Sequence, residues 1–373
     1  MSLFDLAPKE SPDALFGRGA EVAELTRLLE ARRWVVVLGP RMVGKTSLVK
    51  AVRSRLHRPG AYVNLWGVRS VQGLVEGLIS GLNESASLRA RLTRAARSVE
   101  GISAGPAGLS VAASRPPLKT AWDLLNLLGT ETRDCLVVLD ELQELSANSG
   151  ALLKLLGNVF NTRPNIVFVF TGSLVGLSRT LLEPTNDSPL YGRAPVSLTL
   201  GPFERTTSTQ FLLRGARDAS VSISTEQIES ALNGPLDGTP GWLTLYGNHV
   251  AVQRLPPEQA LAETVREGKK AAEADIARFL SSRDASLHWP ALKVIAAGAS
   301  WGAVRDFMAR STGENVNDGK VQRVLRALES AYLARQTEGR YEILDPMIRT
   351  YLVEAVRPPK MGNPYLGRTR HSR

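Results

Sequence analysis

The stretch Trp34-Val35-Val36-Val37-Leu38-Gly39-Pro40-Arg41-Met42-Val43-Gly44-Lys45-Thr46-Ser47 decides the fold. Its first five residues are a short apolar run rich in β-branched side chains, the pattern of a buried strand. Gly39 to Thr46 then fits GxxxxGK[ST], and Lys45 to Leu56 reads as a helix, so the loop joins a strand to a helix as the motif requires. Glycine permits the tight backbone path. The loop's N–H groups and the helix dipole then point at phosphate oxygens, Lys45 reaches the terminal phosphates, and Thr46 offers a hydroxyl to Mg²⁺. Gly39, Pro40, Arg41, Met42, Val43, Gly44, Lys45, Thr46 and Ser47 are therefore the candidate nucleotide-binding residues of the loop.

Working outward, Ala61 to Leu65, Cys135 to Leu139, Asn165 to Thr171 and Val196 to Leu200 repeat the character of the first strand. Helical patterns lie between them at Glu21 to Arg32, Lys45 to Leu56, Val71 to Leu82, Thr120 to Leu128 and Ala151 to Phe160. Alternating strands and helices predict an α/β fold, a parallel sheet sandwiched by helices. The apolar run Cys135 to Leu139 ends in Asp140 and Glu141. Beside a phosphate loop, Asp140 is placed to hold Mg²⁺ and Glu141 to polarise an attacking water, because phosphoryl transfer needs positioning and charge neutralisation. Alone, the same pair reads as a strand reaching solvent.

The segment from Asn83 to Pro117 is Arg-rich and helical at first, then rich in Gly, Ala and Ser, and predicts an inserted helix with a loop or hairpin. After Phe203 the strands stop and four helical patterns follow, a small helical domain or lid. From about Asp284 come three helices and two short strands around Thr337, Glu338 and Gly339, the order of a winged helix. The division expected is a core at 1–203, a lid at 204–283, a winged helix at 284–357 and a basic tail at 358–373.

With 373 residues the chain is long enough for two or three domains. A 43% hydrophobic and 22% charged composition with mean hydropathy of -0.09 fits a globular protein, and no apolar run approaches a membrane span. The N-terminus lacks the pattern of a secretion signal, so the expected compartment is the cytoplasm. A single cysteine, Cys135, and four scattered histidines exclude a disulfide framework or a thiolate zinc site. The net charge of +10 and pI of 9.9 favour an anionic partner, or equally a solvated basic surface.

With these motifs placed, the sequence resembles the archaeal ATPase family, P-loop proteins of the STAND and AAA+ type with a C-terminal winged helix. Phe16, Gly17 and Arg18 followed by Glu21 resemble the family's GRxxE segment near the adenine. Thr171, Gly172 and Ser173 end the fourth core strand, where the resemblance implies a polar sensor of the γ-phosphate at Ser173. Ser188 to Arg193 resembles the SPLYGR segment, and Gly238 to Trp242 the GxP-type motif that holds the base from the lid, with Pro240 at its centre. Three roles fit Arg193: an arginine finger to a neighbouring subunit, a catalytic group in its own subunit, or a surface ion pair. No second-sensor arginine stands near Trp242, which points to slow turnover.

The pattern Asp318 to Tyr332 has a core stripe of Val321, Val324, Leu325 and Leu328, with Lys320, Arg323, Arg326 and Ser330 opposite. In a winged helix that face would enter a major groove, with Arg335 and Arg340 on phosphates; the other reading is a protein-docking or lid element. The resulting expectation is an ATP-binding, slowly hydrolysing switch using ATP/ADP and Mg²⁺, with DNA, a second copy or a protein as partner and no membrane. Its alternative is a nucleotide-regulated DNA-binding or scaffold protein with incidental turnover. A defence or toxin-linked interaction protein shares the same architecture.

Overall fold

The computed structural model describes residues 2–96, 101–105, 108–112, 114–172, 177–236, 238–313 and 315–359. The chain forms two compact units, one of residues 7–39 and 44–201, the other of residues 1–6, 40–43 and 202–373.

In the first unit, α1 (Gly19–Glu30) buries Val22, Leu25, Leu28 and Leu29 at helical spacing. It leads to β1 (Val35–Leu38), every residue of which is buried. After the loop, α2 (Lys45–Leu56) starts from Gly44, whose φ of 97° lies where only glycine rests without strain. Next come β2 (Gly60–Asn64), α3 (Val71–Asn83) and α4 (Ala86–Ala95), the last two capped by the hydroxyls of Ser70 and Ser85. The Gly/Ala/Ser-rich segment forms a hairpin of β3 (Ile102–Gly105) and β4 (Gly108–Val111), pinned to α3 by Asn83, which donates to the Leu109 carbonyl and accepts from its N–H. The unit continues with α5 (Pro117–Glu131), β5 (Cys135–Asp140), α6 (Ser149–Thr162), β6 (Ile166–Gly172), α7 (Leu177–Leu182) and β7 (Val196–Thr199).

The five long-expected strands form one parallel sheet in the order β2-β5-β6-β1-β7. Helical cover of the sheet explains why every residue of β1, β5 and β6 is buried, with the polar Asp140 and Thr171 only at the ends of β5 and β6. At the edge, β7 is only half-buried and alternates with exposed positions, so it is not the fully buried strand its sequence suggests. The core is continued by Trp34, which stacks edge-on against Phe160 and Phe168 and donates its indole N–H to the Ile166 carbonyl at 3.0 Å. Leu38 pairs with Gly172, and Asn64 with Asp140, so the C-terminal strand ends share one margin of the sheet. Ligands of open α/β sheets gather at such margins.

The second unit begins with α8 (Arg205–Asp218), α9 (Thr225–Asn233), α10 (Pro240–Ala251) and α11 (Pro257–Leu280). Phe4, fully buried, packs edge-on against Phe211, and a Cβ added at Gly215 or Gly247 would strike its ring. Then follow α12 (Ala285–Ile295), β8 (Ala299–Ser300), α13 (Trp301–Thr312), α14 (Asp318–Ser330), β9 (Ala334–Thr337), β10 (Arg340–Ile343) and α15 (Pro346–Glu354). Strands β8, β10 and β9 make a small antiparallel sheet in that order. Val321, Val324, Leu325 and Leu328 of α14 join Ile295, Val304, Met308 and Ile276 in one apolar cluster. Asp345 caps α15 by accepting the N–H groups of Met347 and Ile348.

Candidate active site

The loop between β1 and α2 is an uncommon backbone path: φ is 147° at Gly39, 64° at Met42 and 97° at Gly44. Lys45 lies in the first turn of α2 and its ammonium donates to the Gly39 carbonyl at 3.0 Å, so the cation sits over the loop it serves. Thr46, one residue on, donates its hydroxyl to Asp140 Oδ2 at 2.9 Å. Ser47 accepts the Lys9 N–H at 3.2 Å and so ties the N-terminal segment to α2.

Asp140 ends β5 and is only 2% exposed. A carboxylate at that depth must be hydrogen-bonded. Three hydroxyls do this: Thr46 and Tyr62 both donate to Oδ2, and Thr171 donates to Oδ1. Tyr62 comes from β2, where it pairs with Val138, two residues before Asp140; the period of two therefore puts both on one face of the sheet. Thr171 lies one step beyond the Leu139–Phe170 pair of the β5–β6 ladder. Burial, and then the charges of Asp140 and Glu141, push the Tyr62 phenol far above its usual range, so it stays a hydrogen-bond donor.

Glu141 follows in the left-handed region, φ 62°, which turns the chain sharply as it leaves the strand. Its N–H donates to Thr171 Oγ1 at 3.0 Å, and its carboxylate accepts from the Gln143 amide. A Cβ at Gly172 would fall 2.5 Å from Gln143 Oε1, so glycine at the end of β6 leaves room for that side chain. Arg18 is buried, donating to Glu21 at 2.7 Å and to the Gly201 carbonyl at 2.7 Å. Phe16 is half-buried beside Gly17, whose φ is 64°.

The sequence therefore groups Lys45, Thr46, Asp140 and Glu141 as the structure does, and it misses Tyr62 and Gln143. Thr171 serves Asp140 and the Glu141 N–H. Ser173, the expected sensor, lies outside the described residues. Arg193 is not brought to Asp140: its exposed guanidinium lies 5.3 Å from the Phe160 ring centre and donates to Asn161, both at the end of α6.

Within the second unit, residues 40–43 at the loop apex make their own contacts. Gly241, beside Pro240 at the start of α10, donates its N–H to the Met42 carbonyl at 2.9 Å, and a Cβ there would meet Met42 Cβ at 2.7 Å. Arg41 forms an ion pair with Asp275 of α11, at 2.5 and 2.6 Å to its two oxygens. Pro240 accepts the Thr244 hydroxyl on its carbonyl at 2.8 Å, and Gly238, with φ 72°, gives its carbonyl to the Phe203 N–H at 2.5 Å.

On α14, Arg323 and Arg326 are exposed and Lys320 half-exposed. Arg323 Nε donates to the Gly319 carbonyl at 3.3 Å. Arg335 lies 3.8 Å from Glu342, and Arg340 donates to the Gly298 carbonyl at 2.8 Å, so these two have local partners. Among the described residues no cluster of three or more His, Cys, Asp and Glu side chains is placed to hold a metal, and no helix is long and apolar enough to cross a membrane.

A phosphate loop on the first strand of a β2-β5-β6-β1-β7 sheet, with an Asp-Glu pair at the end of a strand two places away, is an arrangement similar to that of AAA+ P-loop ATPases. Residues 14–169 match the AAA ATPase domain. The fold is similar to that of the Walker-type ATPase PABY2304 of Pyrococcus abyssi, with TM-score 0.76 and 26% identity, over 94% of this chain and 99% of that one. It is also similar to the ORC2 protein of Aeropyrum pernix, described as its ADPNP-ADP complexes, with TM-score 0.62 and 16% identity over 94% and 95% of the two chains. No curated protein matches the sequence.

Proposed function

We propose that the chain is an ATP-binding switch that hydrolyses ATP slowly, built as a phosphate-loop core (1–203), a helical lid (204–283) and a winged helix (284–357) with a basic tail. One observation carries this reading. The Thr46 hydroxyl and the Asp140 carboxylate, brought from α2 and β5, meet at 2.9 Å next to Lys45. Two hard oxygen donors suit Mg²⁺, which takes one or two protein ligands and completes its shell with water and phosphate oxygens. Thr46 and Asp140 would hold the ion, which when bound neutralises charge on the β- and γ-phosphate oxygens.

The loop N–H groups and Lys45 bind the phosphates in this scheme. Glu141 accepts a proton from the water as its oxygen bonds to the γ-phosphorus, and the bond to the β-phosphate oxygen breaks, releasing ADP and inorganic phosphate. Gln143 holds one carboxylate oxygen of Glu141. Phe16, Gly17, Arg18 and Pro240 are assigned to the base, Ser173 to sensing the γ-phosphate, and Arg193 to the transition-state charge of a neighbouring or its own subunit. Slow turnover follows from the lack of a second-sensor arginine near Trp242.

The experiment is Glu141→Gln, which keeps shape and removes the base. It is expected to retain ATP while lowering turnover about a hundredfold or more. Turnover at the parental rate would give the water to another group.

A second reading is supported by α14, whose Arg323 and Arg326 face outward from a buried stripe. In it the winged helix binds DNA through Lys320, Arg323, Arg326, Arg335 and Arg340, and nucleotide regulates that binding. DNA affinity unaffected by nucleotide would argue against the link.

A further inference from the structure

We propose that Tyr62 is a positioning residue for the metal-holding carboxylate: its hydroxyl fixes the plane of Asp140 so that Thr46 keeps its oxygen turned toward Mg²⁺. The proposal rests on the reading of Thr46 and Asp140 as the metal-holding pair. A carboxylate offers about four acceptor positions, two on each oxygen. Oδ2 receives both the Thr46 and the Tyr62 hydroxyls, and Oδ1 receives Thr171. Three donors from three elements, α2, β2 and β6, leave the carboxylate no free rotation.

Tyr62 differs from the other two donors. Thr46 is the group whose lone pairs must face the ion, and Thr171 also accepts the Glu141 N–H and so couples to the base. Tyr62 has neither duty. Its ring is held in β2 with the Lys50 ammonium 5.2 Å from its centre, and the hydroxyl reaches along the sheet face to Asp140. Such a donor behind a metal-site carboxylate orients it at the second layer, where losses typically cost 10- to 100-fold in metal affinity, about the range expected here.

The test separates metal from nucleotide. ATP binding is titrated in EDTA, and the ATP-loaded protein is then titrated with Mg²⁺, for the parent, Tyr62→Phe and Asp140→Asn. Tyr62→Phe is expected to bind metal-free ATP like the parent and to need roughly tenfold or more Mg²⁺ for the same gain in affinity. An unchanged Mg²⁺ requirement in Tyr62→Phe, with the requirement lost in Asp140→Asn, overturns the role of Tyr62 and leaves the metal reading standing. Equal weakening of metal-free binding also overturns it, since that is a structural defect of the loop. If Asp140→Asn keeps the Mg²⁺ requirement, the metal reading falls and the proposal with it. Should Tyr62→Phe not fold, 3-fluorotyrosine at position 62 keeps the ring and strengthens the donor; a lower Mg²⁺ requirement supports the proposal and an unchanged one overturns it.

Discussion

The strand ends around Asp140 and the outer face of α14 are built on opposite plans. At the strand ends polar groups turn inward and satisfy one another, so that a 2%-exposed carboxylate carries three hydroxyl donors. On α14 the apolar side chains turn inward and the cations turn to solvent. The first arrangement is expensive without a function, because each hydroxyl must be placed to offset the desolvation of Asp140. The second is what any amphipathic helix does. A buried, satisfied carboxylate therefore points to its chemistry, whereas a basic face names no partner.

The sharpest way to contrast the two regions is to damage the packing that underlies one. Leu325 is fully buried in the cluster of α11–α15, and Leu325→Ala is expected to destabilise the second unit by about 2 to 5 kcal/mol. Two-step thermal unfolding, with only one step lowered, would show that the units melt apart; a single lowered transition would show one cooperative fold.

A smaller effect is expected at a carboxylate of the second unit that is buried like Asp140. Asp345 is 4% exposed and caps α15, with its Oδ1 also 3.4 Å from the Trp242 indole nitrogen. Burial raises its pKa to about 6, with the charge of Asp275 adding to the rise. The folded state then holds this proton more tightly than the unfolded chain. Stability from it is full below the unfolded value near 3.8 and is lost as pH rises through about 6. Between about pH 7 and about pH 5 the parent should gain about 1 kcal/mol over Asp345→Asn. Parallel pH profiles for the two proteins would contradict this.

The smallest effect on the fold belongs to the face of α14. Arg323→Ala with Arg326→Ala should leave stability and ATP affinity unchanged. If the face meets DNA, the slope of log K against log salt should flatten by about two units, near 0.9 per lost phosphate contact. Repetition on a chain ending near Arg357 removes the tail's contribution, and an unchanged slope would make α14 a docking or lid surface.

The sequence makes most of this fold legible because period and punctuation agree. The five strands of the sheet, the helix opening at Lys45 and the hairpin around Gly339 all appear where the apolar patterns end in glycine or charge. Less legible are the features made by contact across the chain. Tyr62 reads as one more aromatic residue in a strand until register shows that it shares a face with Asp140. Phe4 precedes every recognisable element yet is buried among α8 and α10. Short α7 and the two-residue β8 have no pattern long enough to read. Gly241 looks like part of a turn, and its need for glycine is visible only through Met42, whose Cβ and Cε lie 2.7 Å from where a Cβ would stand.

The most direct test of the nucleotide site is an ATP titration of Lys45→Ala beside the parent. Lys45 supplies the cation of the phosphate loop, and a charge-assisted contact of this kind is worth about 1.5 to 3 kcal/mol, roughly tenfold or more in affinity. A folded Lys45→Ala protein whose ATP affinity falls by that factor is the predicted result. The same affinity in both proteins would contradict the assignment of the loop as the ATP site.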